Sequence, residues 1–393
     1  MRGAGTGYTG GAVPTAGGVV LSMERLNRIL EIDEINLLAV VEPNVVTGDL
    51  HRAVERVGLF YPPDPASLET CSIGGNVAEC AGGPRAFKYG TTKRYVLALE
   101  AVLPTGEVIH TGSKAVKNVV GYDLTQLLVG SEGTLAIITQ VTLRLIPKPP
   151  ASATALAVFE SIQCAVDAVS ALIAARVVPV ALELIDKDSL DAVQRHTGEA
   201  LVPDGTHAVL IIETDGSAEG ALEEMDRAAA ACRAVGATSV TRAASGAERE
   251  RIWGVRRAVS LALKATGLAK INHDVVVPRG RVPQLFEIVA DLKREHRLRI
   301  ASFGHAGDGN IHVNILLDPR DADEAARASR AERTLFERVV ALEGSISGEH
   351  GIGFAKKPYI GLELSADEIA LMRRLKLAFD PHGILNPGKI FPD

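Results

Sequence analysis

The chain has no long apolar run. Its apolar stretches, such as ALAVF and VVVP, are far too short to span a bilayer. Its opening residues are glycine-rich rather than basic and then apolar, so no secretory leader is expected. It has no excess of positive charge: 42 Lys and Arg stand against 48 Asp and Glu, for a formal net charge of −6, which gives no electrostatic footprint for nucleic acid or anionic lipid. Cysteine is scarce. Cys71, Cys80, Cys164 and Cys232 are scattered through 393 residues, too sparsely for a disulfide framework or for an iron–sulfur centre held by this chain alone. These absences predict a reduced protein of the cytoplasm, peripheral at most at the inner face of the membrane. With 47% hydrophobic and 23% charged residues, the chain has the composition of a globular protein long enough for two or three domains.

What is present is glycine in clusters. MRGAGTGYTGG places Gly5, Gly7 and Gly10 at the spacing G-x-G-x-x-G. That spacing alone is a weak sign of a dinucleotide fold, and here no strand precedes it and AVPTAGGVV makes a poor helix after it. Similar clusters recur in SIGGNVAECAGG (72–83) and GSEGT (130–134). Glycine permits positive φ and close backbone approach, so three such loops suit a surface of backbone N–H groups around a large phosphate-bearing cofactor. Tight turns in a domain of short strands are the competing explanation.

The local patterns divide the chain at IPKPP (146–150), which reads as a linker because three prolines in five residues cannot continue a sheet. Before them, GGVVLSM (17–23) reads as a strand and Thr47 as a helix N-cap. RYVLALEAVLPTGEVIHTG reads as a strand, turn and strand, DLTQLLVG as a short helix, and TLAIITQVTLRLIP as a half-buried strand. After them, helical stretches alternate with VALELI, HAVLIIET, TSVTRA, a strand near 270–277, RIASFGH and NIHVNILL, which predicts an α+β domain with two similar β-α-β passes. The tail has one amphipathic helix, SADEIALMRRLKLAFD, with Ser365 as its N-cap.

Chemistry concentrates in the second half. FGHAGDGNIHVNI sets His305 and His312 either side of a Gly-Asp-Gly turn, and SGEHGIG sets Glu349 beside His350. Two imidazoles and a carboxylate suit a divalent transition metal such as Zn, Fe or Mn with open positions, and the remaining histidine suits proton transfer near neutral pH. Histidines satisfying loop backbone groups, or a structural zinc site, are the alternatives, and the second lacks cysteine ligands. WGVRRAVSLAL brings Arg256, Arg257 and Ser260 within about a helical turn, with Lys270 following. A guanidinium can clamp a carboxylate, although paired arginines on a helix also arise as a solvated basic face.

Taken together and in order, RGAGTGYTGGA, SIGGNVAECAGGPRAFKYG, GYDLTQLLVGSEGTLAIIT, GHAGDGNIH, SGEHGIG and NPGKIF resemble the FAD-linked 2-hydroxyacid dehydrogenases. This group includes the glycolate oxidase FAD-linked subunit, D-lactate dehydrogenase and D-2-hydroxyglutarate dehydrogenase, within the vanillyl-alcohol-oxidase-type flavoproteins. The resemblance implies an α+β chain with an FAD-binding domain over 1–148 and a substrate-capping domain with an antiparallel sheet over 149–345. A C-terminal segment, 346–393, would return to the flavin. It implies that Arg2, Gly3, Ala4, Gly5, Thr6, Gly7, Thr9 and Gly10 hold the FAD pyrophosphate. Pro63, Asp64, Ser72, Gly74, Gly75, Asn76, Gly82, Gly133 and Ile138 would line the cofactor, with Asn386 near the flavin. Thr6 stands where some relatives attach FAD through a histidine, so the expected FAD is non-covalent.

The resemblance also implies that His305, His312 and Glu349 bind the metal and that His350 is the catalytic base. Arg256, Ser260 and Lys270 would hold a small 2-hydroxy acid. The electron acceptor would be a cytochrome, a quinone, an electron-transfer flavoprotein or an iron–sulfur subunit rather than NAD, with no nucleic-acid partner and a homodimer as a possible assembly. An ether-lipid synthase of the same flavoprotein group and a non-catalytic assembly subunit are the alternative functions. Relatives carry several dozen residues before the first glycine loop, so the expected FAD domain is shortened at its N-terminus, with exposed sheet edges and weakened cofactor binding.

Overall fold

The computed structural model describes residues 1–199 and 202–392. They form two compact units. The first comprises Met1–Arg85, Tyr89–Lys148 and Glu349–Asp393, and the second comprises Ala86–Lys88 and Pro149–Gly348.

The first unit has seven strands: β1 (Ile29–Asp33), β2 (Leu38–Val41), β3 (Leu59–Phe60), β4 (Val96–Val102), β5 (Val108–Gly112), β6 (Ile137–Arg144) and β7 (Ile146–Pro147). Five make one antiparallel sheet in the order β1-β2-β6-β4-β5, and β3 pairs with β7. The β4–β5 hairpin turns at Pro104-Thr105-Gly106, where Gly106 takes a positive φ of 95°. Val41, Val54, Leu99, Leu128, Val141 and Leu143 form the core between this sheet and its helices. Phe379, at the end of the C-terminal helix Ala366–Phe379, packs on the same core. Ser365 caps that helix in a full capping box with Glu368.

Four readings of this unit differ from the structure. Residues 17–23 are not a strand; only Ser22 pairs, in a single parallel bridge with Arg2. Glycines at 17 and 18, both at positive φ, break the extended run. Thr47 is the first residue of the helix Thr47–Glu55 rather than its cap, and its hydroxyl instead accepts from the Asn76 side chain at 2.7 Å. SIGGNVAE is a helix, Ile73–Glu79, not a loop. Ser72 caps it by accepting from the Gly75 amide at 3.3 Å, and a Cβ on Gly74 would lie 2.5 Å from Pro43 Cβ, so glycine is needed there for packing. Within IPKPP, Ile146 and Pro147 belong to β7, with the proline on a two-stranded ribbon where its missing donor is tolerated.

The second unit is built on one seven-stranded antiparallel sheet. Its strands are β8 (Ala151–Phe159), β9 (Ala181–Asp186), β10 (Ala208–Gly216), β11 (Ser239–Arg242), β12 (Ala269–Val276), β13 (Arg299–His305) and β14 (Asn310–Leu317), in the order β11-β8-β10-β9-β13-β14-β12. The two β-α-β passes therefore join edge to edge through β9 and β13. Val209, Ile211, Val259, Leu263 and Phe303 share one buried cluster. The helix Ala322–Ala341 was not anticipated from the sequence. Asp321 caps it through the amides of Asp323 and Glu324, and its charged residues interrupt an apolar stripe of Ala328, Ala331, Leu335 and Val339. The four cysteines are free thiols. Among the described residues no helix is long and apolar enough to cross a membrane.

Candidate active site

The first unit gathers the glycine loops around the C-terminal segment. Arg2 is anchored to the backbone of Leu21 and Met23, and beyond it the loop rises with Gly5 at a φ of 70° and Gly10 at 76°. Among the described residues, no backbone amide from Gly3 to Gly7 donates to a protein acceptor. A run of unused amides at a glycine-rich turn is a cradle for an anion. This chemistry fits a pyrophosphate-bearing cofactor such as FAD. Thr9, buried behind the loop, donates from Oγ1 to the His350 carbonyl at 3.1 Å and accepts at its own carbonyl from Phe354 and Ala355. The Tyr8 and His350 rings stack, with centroids 4.8 Å apart and planes at 24°. A Cβ at Gly353, where φ is 53°, would stand 2.5 Å from the Thr9 carbonyl, so this stitch requires glycine.

Glu132 of the GSEGT loop completes the junction. Its carboxylate accepts from the Ile352 amide at 2.8 Å and the Gly353 amide at 2.7 Å. Asn386 bridges two loops, donating to the carbonyls of Gly11 at 3.0 Å and Glu132 at 2.8 Å. Glu79 comes beside this junction from the end of its helix; a Cβ on Gly351 would meet Glu79 Oε2 and then Glu132 Oε1. Burial, with the nearby Glu132 charge, pushes the Glu79 carboxyl up to about 8. Burial raises the Glu132 carboxyl as well, opposed by the two amides that donate to it.

The other residues expected at the cofactor have varied settings. The Pro63 carbonyl bonds the buried His51 ring at 2.9 Å, and Asp64 holds Arg85 at 3.3 Å. Asn76 is committed to Thr47, and Ile138 lies in the core of the sheet. Gly82 leaves room for Glu349, whose Oε2 would lie 2.8 Å from a Cβ there. Gly133 takes a φ of 68° beside Met1.

In the second unit, antiparallel register brings the histidines together. His305 ends β13 and His312 lies on β14 opposite Phe303, with the two imidazole centroids 5.5 Å apart at 81°. Gly309 turns the strands at a φ of 86°, where a Cβ would meet the Val277 carbonyl at 2.1 Å. Opposite His305 on β9 stands Glu183, which is fully buried. Its Oε1 lies 2.5 Å from His305 Nδ1, and its Oε2 accepts from Arg256 Nε. Burial would raise this carboxyl, but the charges of His305 and Arg256 outweigh it and hold it at about 2.

Arg256 is itself buried, with its guanidinium 4.7 Å over the Phe303 ring, so the solvated-face explanation does not describe it. It does describe Arg257, which is exposed and paired with Glu250. One turn along from these arginines on the helix Gly246–Lys264, Ser260 Oγ accepts from Lys270 Nζ at 2.9 Å. Burial, and then the charge of Lys264, lower the Lys270 ammonium to about 8.

A carboxylate on His305 Nδ1 is the usual partner of a metal-ligating histidine and makes Nε2 the ring nitrogen a metal would use, so this donor chemistry fits a divalent metal. Asp274, opposite His312 on β12, is another residue missed from sequence. Its Oδ1 accepts from Asn310 Nδ2 at 2.6 Å and its Oδ2 from the Gly348 amide at 3.0 Å. Glu183 carries a sequence signal, as the lone acid of the apolar run VALELI, whereas Asp274 follows Asn272 and His273 in INHDVVV and is marked only by the apolar residues after it.

Residues 148–390 match the model of the FAD linked oxidases, C-terminal domain, and residues 1–112 match an FAD binding domain. The chain is 44% identical over 390 residues to the glycolate oxidase subunit GlcD of Bacillus subtilis, covering 99% of this chain and 83% of that protein. It is 36% identical over 395 residues to the D-lactate dehydrogenase of Anaerostipes hadrus, covering 99% and 83% respectively. Among solved structures, p-cresol methylhydroxylase with substrate bound superposes with a TM-score of 0.75 at 17% identity, over 96% of this chain and 80% of that one. At that identity the likeness concerns the fold, which is of the vanillyl-alcohol-oxidase type. With both models matched in order and a relative this similar along nearly its whole length, the chain belongs to the FAD-linked oxidases, enzymes that oxidise CH–OH donors.

Proposed function

We propose that this protein oxidises a small 2-hydroxy acid, glycolate or D-lactate, to the 2-oxo acid and passes the electrons to an acceptor other than NAD. The observation that carries the reading is the 44% identity to a glycolate oxidase subunit across 99% of the chain. The buried Arg256 and the Lys270–Ser260 pair support it, because they supply cationic donors suited to a carboxylate.

The Arg2–Gly10 loop would hold FAD without a covalent link, and the flavin would supply a two-electron acceptor for the hydride lost from the substrate Cα. Arg256 and Lys270 bind the substrate carboxylate and fix which face of the molecule is presented, with Ser260 orienting the lysine. His305 and His312 are the proposed imidazole ligands of a divalent Zn, Fe or Mn ion, with Glu349 as the carboxylate of the set, and the ion would supply Lewis acidity toward the 2-hydroxyl. His350 takes the hydroxyl proton as Cα–H is lost, with its ring stacked on Tyr8 and its backbone carbonyl held by Thr9. The redox balance is one hydride and one proton lost by the acid. The electrons then leave to a cytochrome, a quinone, an electron-transfer flavoprotein or an iron–sulfur subunit.

The test is 2-oxo acid formation from a panel of D- and L-2-hydroxy acids with an artificial electron-accepting dye. Turnover confined to glycolate or a D-acid is expected. Absence of turnover by flavin-loaded protein on every member would contradict the reading and favour a non-catalytic subunit.

A further inference from the structure

We propose that Glu183 is a positioning residue that ties substrate recognition to metal binding, one buried carboxylate setting the orientation of both Arg256 and His305. The inference rests on the reading of the site given above and concerns a residue whose motif carries none of the recognised chemistry.

Glu183 occupies the middle of β9, in a strand where every residue is buried. An ionised carboxylate in that setting costs several kcal/mol unless partners compensate it on both oxygens. Both oxygens are used, and by different elements. Oε1 meets His305 Nδ1 at 2.5 Å from the strand directly opposite, in register across the β9–β13 pair. Oε2 accepts from Arg256 Nε on the helix Gly246–Lys264, whose Val255 and Val259 are fixed in the core on either side.

The consequences for the two partners differ. His305 has its tautomer and ring plane set, which directs Nε2 toward a metal and strengthens it as a donor. Arg256 has Nε occupied and its plane laid on Phe303, while its two terminal nitrogens make no hydrogen bond among the described residues. Those are the two donors that a substrate carboxylate would take in a parallel pair. A purely structural ion pair needs neither the histidine nor a guanidinium with unused donors, and it can be replaced by packed apolar groups at little cost.

The test is Glu183→Gln in flavin-loaded protein, read by Zn(II) affinity in a chelator competition, by metal content and by KM. The expected result is Zn(II) affinity about 10–100-fold weaker. KM should rise for the 2-hydroxy acid at saturating metal, with FAD stoichiometry unchanged. Wild-type metal affinity and KM, with only a lowered melting temperature, would overturn the proposal. Should Glu183→Gln not fold, Arg256→Lys is the second variant. It removes no metal ligand and no charge, yet is expected to weaken Zn(II) binding by releasing Glu183 Oε2, and unchanged Zn(II) affinity in it would overturn the coupling. Wild-type protein that binds no divalent metal would instead sink the metal reading itself, and with it this inference. Metal-replete wild type with an unaffected Glu183→Gln sinks the role of Glu183 alone.

Discussion

Glu79→Gln is expected to stabilise the first unit at alkaline pH. Glu79 Oε2 is buried with no hydrogen-bond partner among the described residues, and Glu132 is close by. Glu132 has two backbone amides donating to it, so it is the member of the pair that ionises first and Glu79 is the one that keeps a proton. A carboxyl at about 8 in the folded chain and 4.5 in the unfolded chain binds more proton when folded between those values. Its contribution is therefore fully present below pH 4.5 and is lost as pH rises toward 8. At about 1.4 kcal/mol per pH unit the ceiling is about 5 kcal/mol, and relaxation and water entry reduce it to an expected 1–3 kcal/mol, roughly. Glutamine has the shape of the protonated acid and cannot ionise, so the variant should lose this slope. Melting temperature against pH from 5 to 9 checks it, at about 2–4 °C per kcal/mol for a unit of this size. A variant that is less stable than wild type at pH 8, or that keeps the wild-type slope, would refute the reasoning.

Three further outcomes follow from the geometry. His350→Ala should keep FAD bound, since it removes a ring and not the Thr9 bond to the backbone, while abolishing flavin bleaching by 2-hydroxy acid; normal reduction in an anaerobic spectrum would remove His350 as the base. KM for the acid should rise as pH passes about 8, where the Lys270 ammonium loses its proton, and Lys270→Met should have a high KM that no longer changes there; initial rates against pH decide this. Gly353→Val should cost about 2–4 kcal/mol or prevent FAD retention, because the new Cβ would stand 2.5 Å from the Thr9 carbonyl at a positive φ; denaturation and the flavin-to-protein ratio measure it.

Local signals made much of the fold legible. The Ser365 cap, the short helix Leu124–Leu128 and the β4–β5 turn each act within a few residues, so sequence alone exposes them. Glycine misled where it served packing instead of a turn. Gly74 lies inside a helix because Pro43 leaves no room for a side chain. Of the candidate site, the approach of His305 to His312 and of Lys270 to Ser260 was legible, because each pair lies within one short segment. Its supporting acids were not. Glu183 stands 122 positions before His305, and Glu132 stands 220 before the Ile352 amide it receives, so only sheet register and loop closure reveal what they hold. An acid in an apolar strand was the available clue, and it says that a partner exists without saying which.

The most direct measurement of the central claim is an anaerobic absorbance titration of the flavin-loaded protein with glycolate and with D-lactate, with divalent metal assayed on the same sample. Stoichiometric bleaching of the oxidised-flavin bands by one of these acids, lost on chelation and restored by added metal, is the expected result. Flavin that stays oxidised with both acids in metal-replete protein would contradict it.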